Sequence, residues 1–285
     1  MERVWRCGRH RIPCGTRTLL MGILNVTPDS FSDGGLHLDA DTAVAHGLRL
    51  AGEGADLLDV GGESTRPGAD PVSAQDEIAR VVPVIERLAA ELPDLPVSID
   101  SRKVVVVVAA LAAGASIVND IGGGTEPGMF EAVREAGAGM ILMHMKGEPT
   151  TMQLDPTYDD VVGEVTEFLR ERLEAAIFAG IPHERLCADP GIGFGKDLEH
   201  NLALLRAVRS MRQTLGVPLL VGPSRKRFIG TLTDTPAPAD RLEGTAGAVA
   251  WCAAQCADLV RVHDVLAMRR VVRVVDAIAR AAPSS

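Results

Sequence analysis

Short apolar runs alternate with longer amphipathic ones along almost the entire chain, and this alternation restricts the possible folds more than any other feature. Candidate strands lie at residues 19–26, 55–60, 95–100, 115–119, 139–144, 186–189, 218–222 and 258–262, with helical stretches between them such as 41–52, 73–91, 158–179 and 198–215. The most strand-like runs, Ser116-Ile-Val118 among them, are continuous and β-branched, as strands buried on both faces are. Eight such strands, each followed by a helical segment, fit a (β/α)8 TIM barrel. A doubly wound open sheet alternates in the same way, and propensity leaves it open. Residues 5–17 precede the first strand and read as a short N-terminal hairpin plugging the bottom of a barrel. No repeat, low-complexity linker or break in composition divides the chain, so residues 1–285 read as a single domain of ordinary barrel length.

Hydrophobic residues make up 46% of the chain and aromatics 3%, so the core must be aliphatic. No apolar run approaches the roughly 20 residues a bilayer span needs, and the Arg-rich start lacks a signal-peptide core. The expectation is a cytoplasmic protein with no membrane partner. The five cysteines lack zinc-type spacing and read as packing residues. A net charge of −9 without a basic stripe argues against a nucleic-acid partner. It is compatible with a small anionic substrate, because local cations decide that.

Polar and glycine-rich clusters fall at the C-terminal ends of nearly all the strands. They begin with Asn25-Val-Thr-Pro-Asp-Ser-Phe-Ser-Asp-Gly-Gly35, Gly61-Gly-Glu-Ser-Thr-Arg-Pro-Gly68, Asp100-Ser-Arg102 and Asn119-Asp120. They continue with His144-Met-Lys146, Asp189-Pro-Gly-Ile-Gly-Phe-Gly-Lys196, Gly222-Pro-Ser-Arg-Lys226 and Arg261-Val-His-Asp264. In a barrel the strands are parallel, so these clusters converge on one mouth, where barrel active sites form.

Asp100, Asn119 and Asp189 end the third, fourth and sixth strands, and acceptors converging there suit the donor edge of an amino-pyrimidinone heterocycle. Taken singly, each also reads as a helix N-cap. Cations gather on the last two strands: Arg225, Lys226 and Arg227, then Arg261 and His263, where barrels often bind phosphate. A surface ion pair is the plainer reading of Arg261 and His263. The Gly191–Lys196 loop departs from the Walker A template, since Asp197 follows the lysine. Its glycines suit close backbone approach to a ligand, with Phe194 as an apolar wall. Glu148 stands four residues after His144, but Gly147 and Pro149 flank it and a zinc site is not expected. Met143, Met145 and Met152 read as core or pocket lining.

Together these strings resemble the dihydropteroate synthase family, in the family's order, from about Leu20 to Ala279. Met21-Gly-Ile-Leu-Asn-Val-Thr-Pro-Asp-Ser-Phe-Ser-Asp-Gly-Gly35 and Gly61-Gly-Glu-Ser-Thr-Arg-Pro-Gly-Ala69 are the most specific strings. The resemblance implies that the pterin-methyl group of 6-hydroxymethyl-7,8-dihydropterin diphosphate is joined to 4-aminobenzoate, with pyrophosphate released. It implies that Asp100, Asn119, Asp189 and Lys226 hold the pterin, that Arg261 stacks on it, and that Asp100, Lys226 and Arg261 are catalytic. Asn25 would bind Mg2+ and, with Arg261 and His263, the diphosphate. Thr65, Arg66, Phe194 and Ser224 would frame the aminobenzoate beneath mobile first and second loops. The family's dimers use the last pair of helices, so a homodimer is implied too. Ser101 stands where the family usually has Thr, and Pro223 precedes Ser224, which leaves sulfonamide affinity open. Two rivals remain at this point. One is a pterin-dependent methyltransferase, which would need neither Ser224-Arg-Lys226 nor the Arg261/His263 pair, and the other is a binding paralogue without catalysis.

Overall fold

The chain enters the fold through an antiparallel hairpin, β1 (Arg3–Cys7) and β2 (His10–Cys14), turned at Gly8 with φ 57°. The computed structural model describes residues 3–27, 36–64, 71–147, 151–152, 154 and 156–280, the side chains of 36–39 excepted. Along each hairpin strand alternate residues turn inward, so Trp5, Cys7, Ile12 and Cys14 are buried. They pack on Leu19, Met21, Ile117, Ile141, Cys187 and Leu259 at the lower ends of the barrel strands. The Trp5 indole donates to the Arg185 carbonyl at 2.9 Å. Gly139 opens its strand because a Cβ there would stand 2.4 Å from Cys7 Sγ. Burial pushes the Cys7 and Cys187 thiols well above their usual range, as suits packing residues.

The eight barrel strands are β3 (Leu19–Asn25), β4 (Leu57–Gly61), β5 (Val97–Asp100), β6 (Ile117–Asp120), β7 (Gly139–Met143), β8 (Leu186–Asp189), β9 (Leu220–Val221) and β10 (Leu259–Val262). They are parallel and hydrogen-bonded in the order β8-β7-β6-β5-β4-β3-β10-β9. A bridge between Ala188 and Leu219 joins the two ends and closes the ring. Closure decides between the two architectures left open by propensity: this is a TIM barrel, not an open sheet. Strand β9 is shorter than the expected 218–222 because Pro218 and Pro223 lack an N–H for the ladder.

The helices α1 (Leu36–Glu53), α2 (Ala74–Glu91), α3 (Val104–Ala112), α4 (Met129–Ala136) and α5 (Val161–Phe178) surround the first part of the barrel. The rest is covered by α6 (Leu198–Arg206), α7 (Val208–Leu215), α8 (Arg227–Thr233), α9 (Leu242–Ala254) and α10 (Val265–Ala279). Ser73, Asp160 and Asp197 cap α2, α5 and α6 by accepting from the N–H three residues on. The stretch 198–215 is two helices, not one. They break at Ala207, whose N–H is shared between the carbonyls of Ala203 and Leu204, and no Gly or Pro marks the place. Among the described residues no helix is long and apolar enough to cross a membrane.

Pairing sets the register of the mouth: Asn25 lies beside Gly61, Gly61 beside Asp100, and Asp100 beside Asn119, one row across four strands. The opposite pole is filled by the hairpin. Trp5→Ala is expected to cost about 3–5 kcal/mol, the usual loss for a fully buried large aromatic, read as a lowered urea midpoint. A loss below about 1 kcal/mol would show that the hairpin is not part of the core.

Candidate functional site

The strand ends surround an open cavity of about 1010 Å3, lined among others by Asn25, Asp100, Phe194, Ser224, Lys226, Arg261 and His263. The expectation that anion-seeking groups of the last strands share a mouth with acceptors of the earlier ones is therefore met. Arg261 makes the join. From β10 its side chain crosses the barrel, Nε donating to Asp59 Oδ2 at 2.6 Å and Nη2 to Asp100 Oδ2 at 2.6 Å. Asn119 Nδ2 donates to the same Asp59 oxygen at 3.0 Å. This is no surface ion pair, since Asp59 is 0% exposed. Burial pushes the Asp100 carboxyl upward, and the Arg261 guanidinium opposes that rise.

Asp100, Asn119 and Asp189 cap no helix: the N-cap positions of α3, α4 and α6 are Lys103, Gly128 and Asp197. Asp189 instead turns back on its own loop, its Oδ1 accepting from the Gly191 N–H at 2.7 Å. Burial pushes its carboxyl up to about 6, against that hydrogen bond and nearby Lys226. Lys226 is lowered to about 8 by burial and by Arg261, while Asp189 and Asp100 pull it back up. Its ammonium lies 3.9 Å from the centre of the Phe194 ring.

The loop from Asp189 to Asp197 carries Phe194 and is pinned on every side. Gly191, with φ 68°, sits so close to the preceding barrel loop that a Cβ would stand 1.9 Å from the His144 carbonyl. Asn201 Oδ1 accepts from Gly193, and Tyr158 donates to the Gly195 carbonyl. Lys196 is 2% exposed, with Nζ 2.9 Å from both His144 Nδ1 and the Phe194 carbonyl. Burial lowers it to about 7, and burial with Lys196 nearby lowers His144 to about 3. His144 Nδ1 is thus an acceptor for the ammonium.

The loop after β9 separates its cations. Arg225 adopts φ 58°, and its guanidinium pairs with Asp264 at 2.7 Å, while Arg225 lines the cavity along with Ser224 and Lys226. Arg227 is exposed at the rim. Ser224 Oγ lies 2.9 Å from His263 Nδ1, which links two residues assigned from the sequence to different ligands. The backbone N–H of Lys226 donates to the Pro223 carbonyl at 3.3 Å, tightening the turn. Ser101 is buried, and its hydroxyl accepts from the Lys103 N–H at 3.3 Å.

Thr65, Arg66 and Glu148 lie outside the described residues. Asn119 and Asp189 sit below the cavity wall, 4% and 5% exposed. Asp59 was not singled out in the sequence. Its signal was a lone carboxylate inside the apolar run Leu57-Leu-Asp-Val-Gly61, where a charge needs a partner.

Comparison with known proteins agrees with this geometry. Residues 21–263 match the model of the pterin binding enzyme family. Dihydropteroate synthase of Synechocystis is 46% identical over 267 residues, 93% of this chain and 92% of that protein. Dihydropteroate synthase of Xanthomonas albilineans with 4-aminobenzoic acid superposes with a TM-score of 0.92 at 48% identity, covering 99% of this chain and 100% of that one. The same protein in complex with 7,8-dihydropteroate gives 0.88 at 46% identity, over 98% and 100%. The Yersinia pestis enzyme in a sulfonamide drug complex gives 0.91 at 42% identity, over 98% and 100%.

Arg261→Met removes the guanidinium that bonds both Asp59 and Asp100. Removing one partner from a buried ionic set costs about 3–5 kcal/mol, so urea unfolding at pH 8 should show a loss of that size. Asp100, which burial already raises above the unfolded value of about 4, then loses the guanidinium that opposes the rise. The penalty is full above the raised value and shrinks as pH falls through it, so the gap to wild type should narrow towards pH 5. A gap that widens on acidification would refute the charge argument.

Proposed function

Given that the chain belongs to the dihydropteroate synthase family of pterin-binding enzymes, we propose how its barrel mouth carries out that family's reaction. The protein is a transferase of folate biosynthesis. It joins the pterin-methyl group of 6-hydroxymethyl-7,8-dihydropterin diphosphate to 4-aminobenzoate and releases pyrophosphate. The observation that carries the assignment of roles is the reach of Arg261 from β10 to Asp59 and Asp100 at 2.6 Å each. It sets the anion-seeking wall against the acceptor wall.

Asp100, Asn119, Asp189 and Lys226 are assigned to the pterin ring. The three acceptor-bearing side chains match its amino-lactam donors, and Lys226 supplies a cation for a ring oxygen or nitrogen. Arg261 lies along the ring and, with His263, faces the departing diphosphate. Breaking the methylene C–O bond leaves positive charge that the dihydropterin ring delocalises, so no protein nucleophile is required. Asp100, a carboxylate held beside the ring, opposes that charge, and Arg261 and His263 oppose the charge on the leaving group. The aniline nitrogen of 4-aminobenzoate then forms the C–N bond and loses a proton. Phe194 and Ser224, with Thr65 and Arg66 from the second loop, are assigned to hold it in line, because this step needs position more than activation.

Mg2+ fits the chemistry at Asn25, which lines the cavity with a neutral oxygen donor. Among the described residues no group of three or more His, Cys, Asp or Glu could hold a metal. An ion that arrives with the diphosphate and keeps most of its waters needs no more than such a donor. When bound it neutralises charge on the diphosphate oxygens. A homodimer through α9 and α10, a cytoplasmic location, one domain for the whole chain and sulfonamide binding in the aminobenzoate position complete the proposal.

Pyrophosphate release on mixing the two substrates tests the reaction and separates it from methyl transfer and from a non-catalytic pterin binder. Lys226→Ala and Asp189→Asn each remove a charge-assisted hydrogen bond, costing about 1.5–3 kcal/mol, or roughly 10- to 150-fold in kcat/KM. Near-normal turnover in a folded variant would take that residue out of the site. Pyrophosphate with Mg2+ should raise the melting temperature of the wild type and raise that of Asn25→Ala by less. An equal rise in both would remove Asn25 from the ion.

A further inference from the structure

Asp59 stands in the middle of β4, and none of its surface reaches solvent. A carboxylate in such a place survives only with partners. Its Oδ2 takes two, Arg261 Nε at 2.6 Å and Asn119 Nδ2 at 3.0 Å. The pairing fixes how Asn119 is turned. Were its carboxamide reversed, Oδ1 would face the Asp59 oxygen with no proton between them, so the amide nitrogen must stay on that side. Asn119 then turns its carbonyl oxygen to the other side, with one of its two N–H groups held by Asp59. That oxygen is buried and has no protein partner among the described residues, and neither has Asp59 Oδ1. Both are acceptors facing no donor among the described residues.

We propose that Asp59 is a positioning residue for ring specificity. By holding one Asn119 N–H it keeps the carboxamide from turning over, so that Oδ1 stays presented as an acceptor, and it fixes the guanidinium of Arg261 through Nε. The pocket thereby selects a ring carrying donors, the amino-lactam edge of a pterin, over one carrying an oxo group in place of the amino group. This rests on the assignment of Asn119 to the pterin ring. Asp59 acts through Asn119 and Arg261.

The test compares calorimetric binding of 6-hydroxymethylpterin with that of 6-hydroxymethyllumazine, which has oxygen in place of the 2-amino group, in wild type and Asp59→Asn. The variant keeps the shape, but its own amide can face either way, which frees Asn119 to turn over. Wild type should prefer the amino ring at least about tenfold, the worth of a buried hydrogen bond lost with its partner left unpaired. In Asp59→Asn the preference should shrink by about tenfold. The KM for the pterin diphosphate should rise by about the same factor, while that for 4-aminobenzoate stays within about twofold. An unchanged preference overturns the proposal. So does an equal rise of both KM values with a lowered melting temperature, which would make Asp59 a residue of the fold alone. If Asp59→Asn does not fold, Asp59→Ser carries the same comparison. Ligand preference is read without turnover, so its outcome is independent of whether pyrophosphate is released.

Discussion

The constraint on which the barrel mouth depends is charge neutrality in a place with little water. Asp59, Asp100 and Asp189 approach the same interior as Lys196, Lys226 and Arg261, and burial works against the charge of Asp100, Asp189, Lys196 and Lys226. The opposite charges offset part of that burial penalty through bonds such as the two from Arg261. The network therefore behaves as a unit, and its cost in folding is carried by the aliphatic layers beneath it. Such an arrangement is poised for a ligand whose own charge separates during reaction, because the opposing charges are already oriented when the bond breaks.

Much of this was legible in the chain because barrel topology is a rule of direction. Once parallel strands are assumed, their C-terminal ends share a face, and the clusters at Asn25, Asp100, Asn119, Asp189, Lys226 and Arg261 need no contact information to be brought together. Closure itself was not legible. Whether β8 meets β9 depends on the bridge from Ala188 to Leu219, and both a closed and an open sheet produce the same pattern of hydropathy. The break at Ala207 escaped for a similar reason, since alanine favours helix on both sides and only packing decides where the axis bends.

At the site, what escaped was side-chain pairing. Asp59 looks like an interruption of an apolar strand until Arg261 is seen arriving from β10, a residue about 200 positions away whose reach no spacing rule encodes. Arg225 lines the mouth as its cationic string suggests, but its bond to Asp264 is another pairing that spacing does not encode. Sequence places residues on strand ends well, and assigns partners across a barrel poorly.

The N-terminal hairpin has a consequence for traffic. With Trp5 and its neighbours stoppering the lower pole, the barrel is a blind well with one door. Traffic to and from the cavity therefore runs through the face formed by the C-terminal ends of the strands.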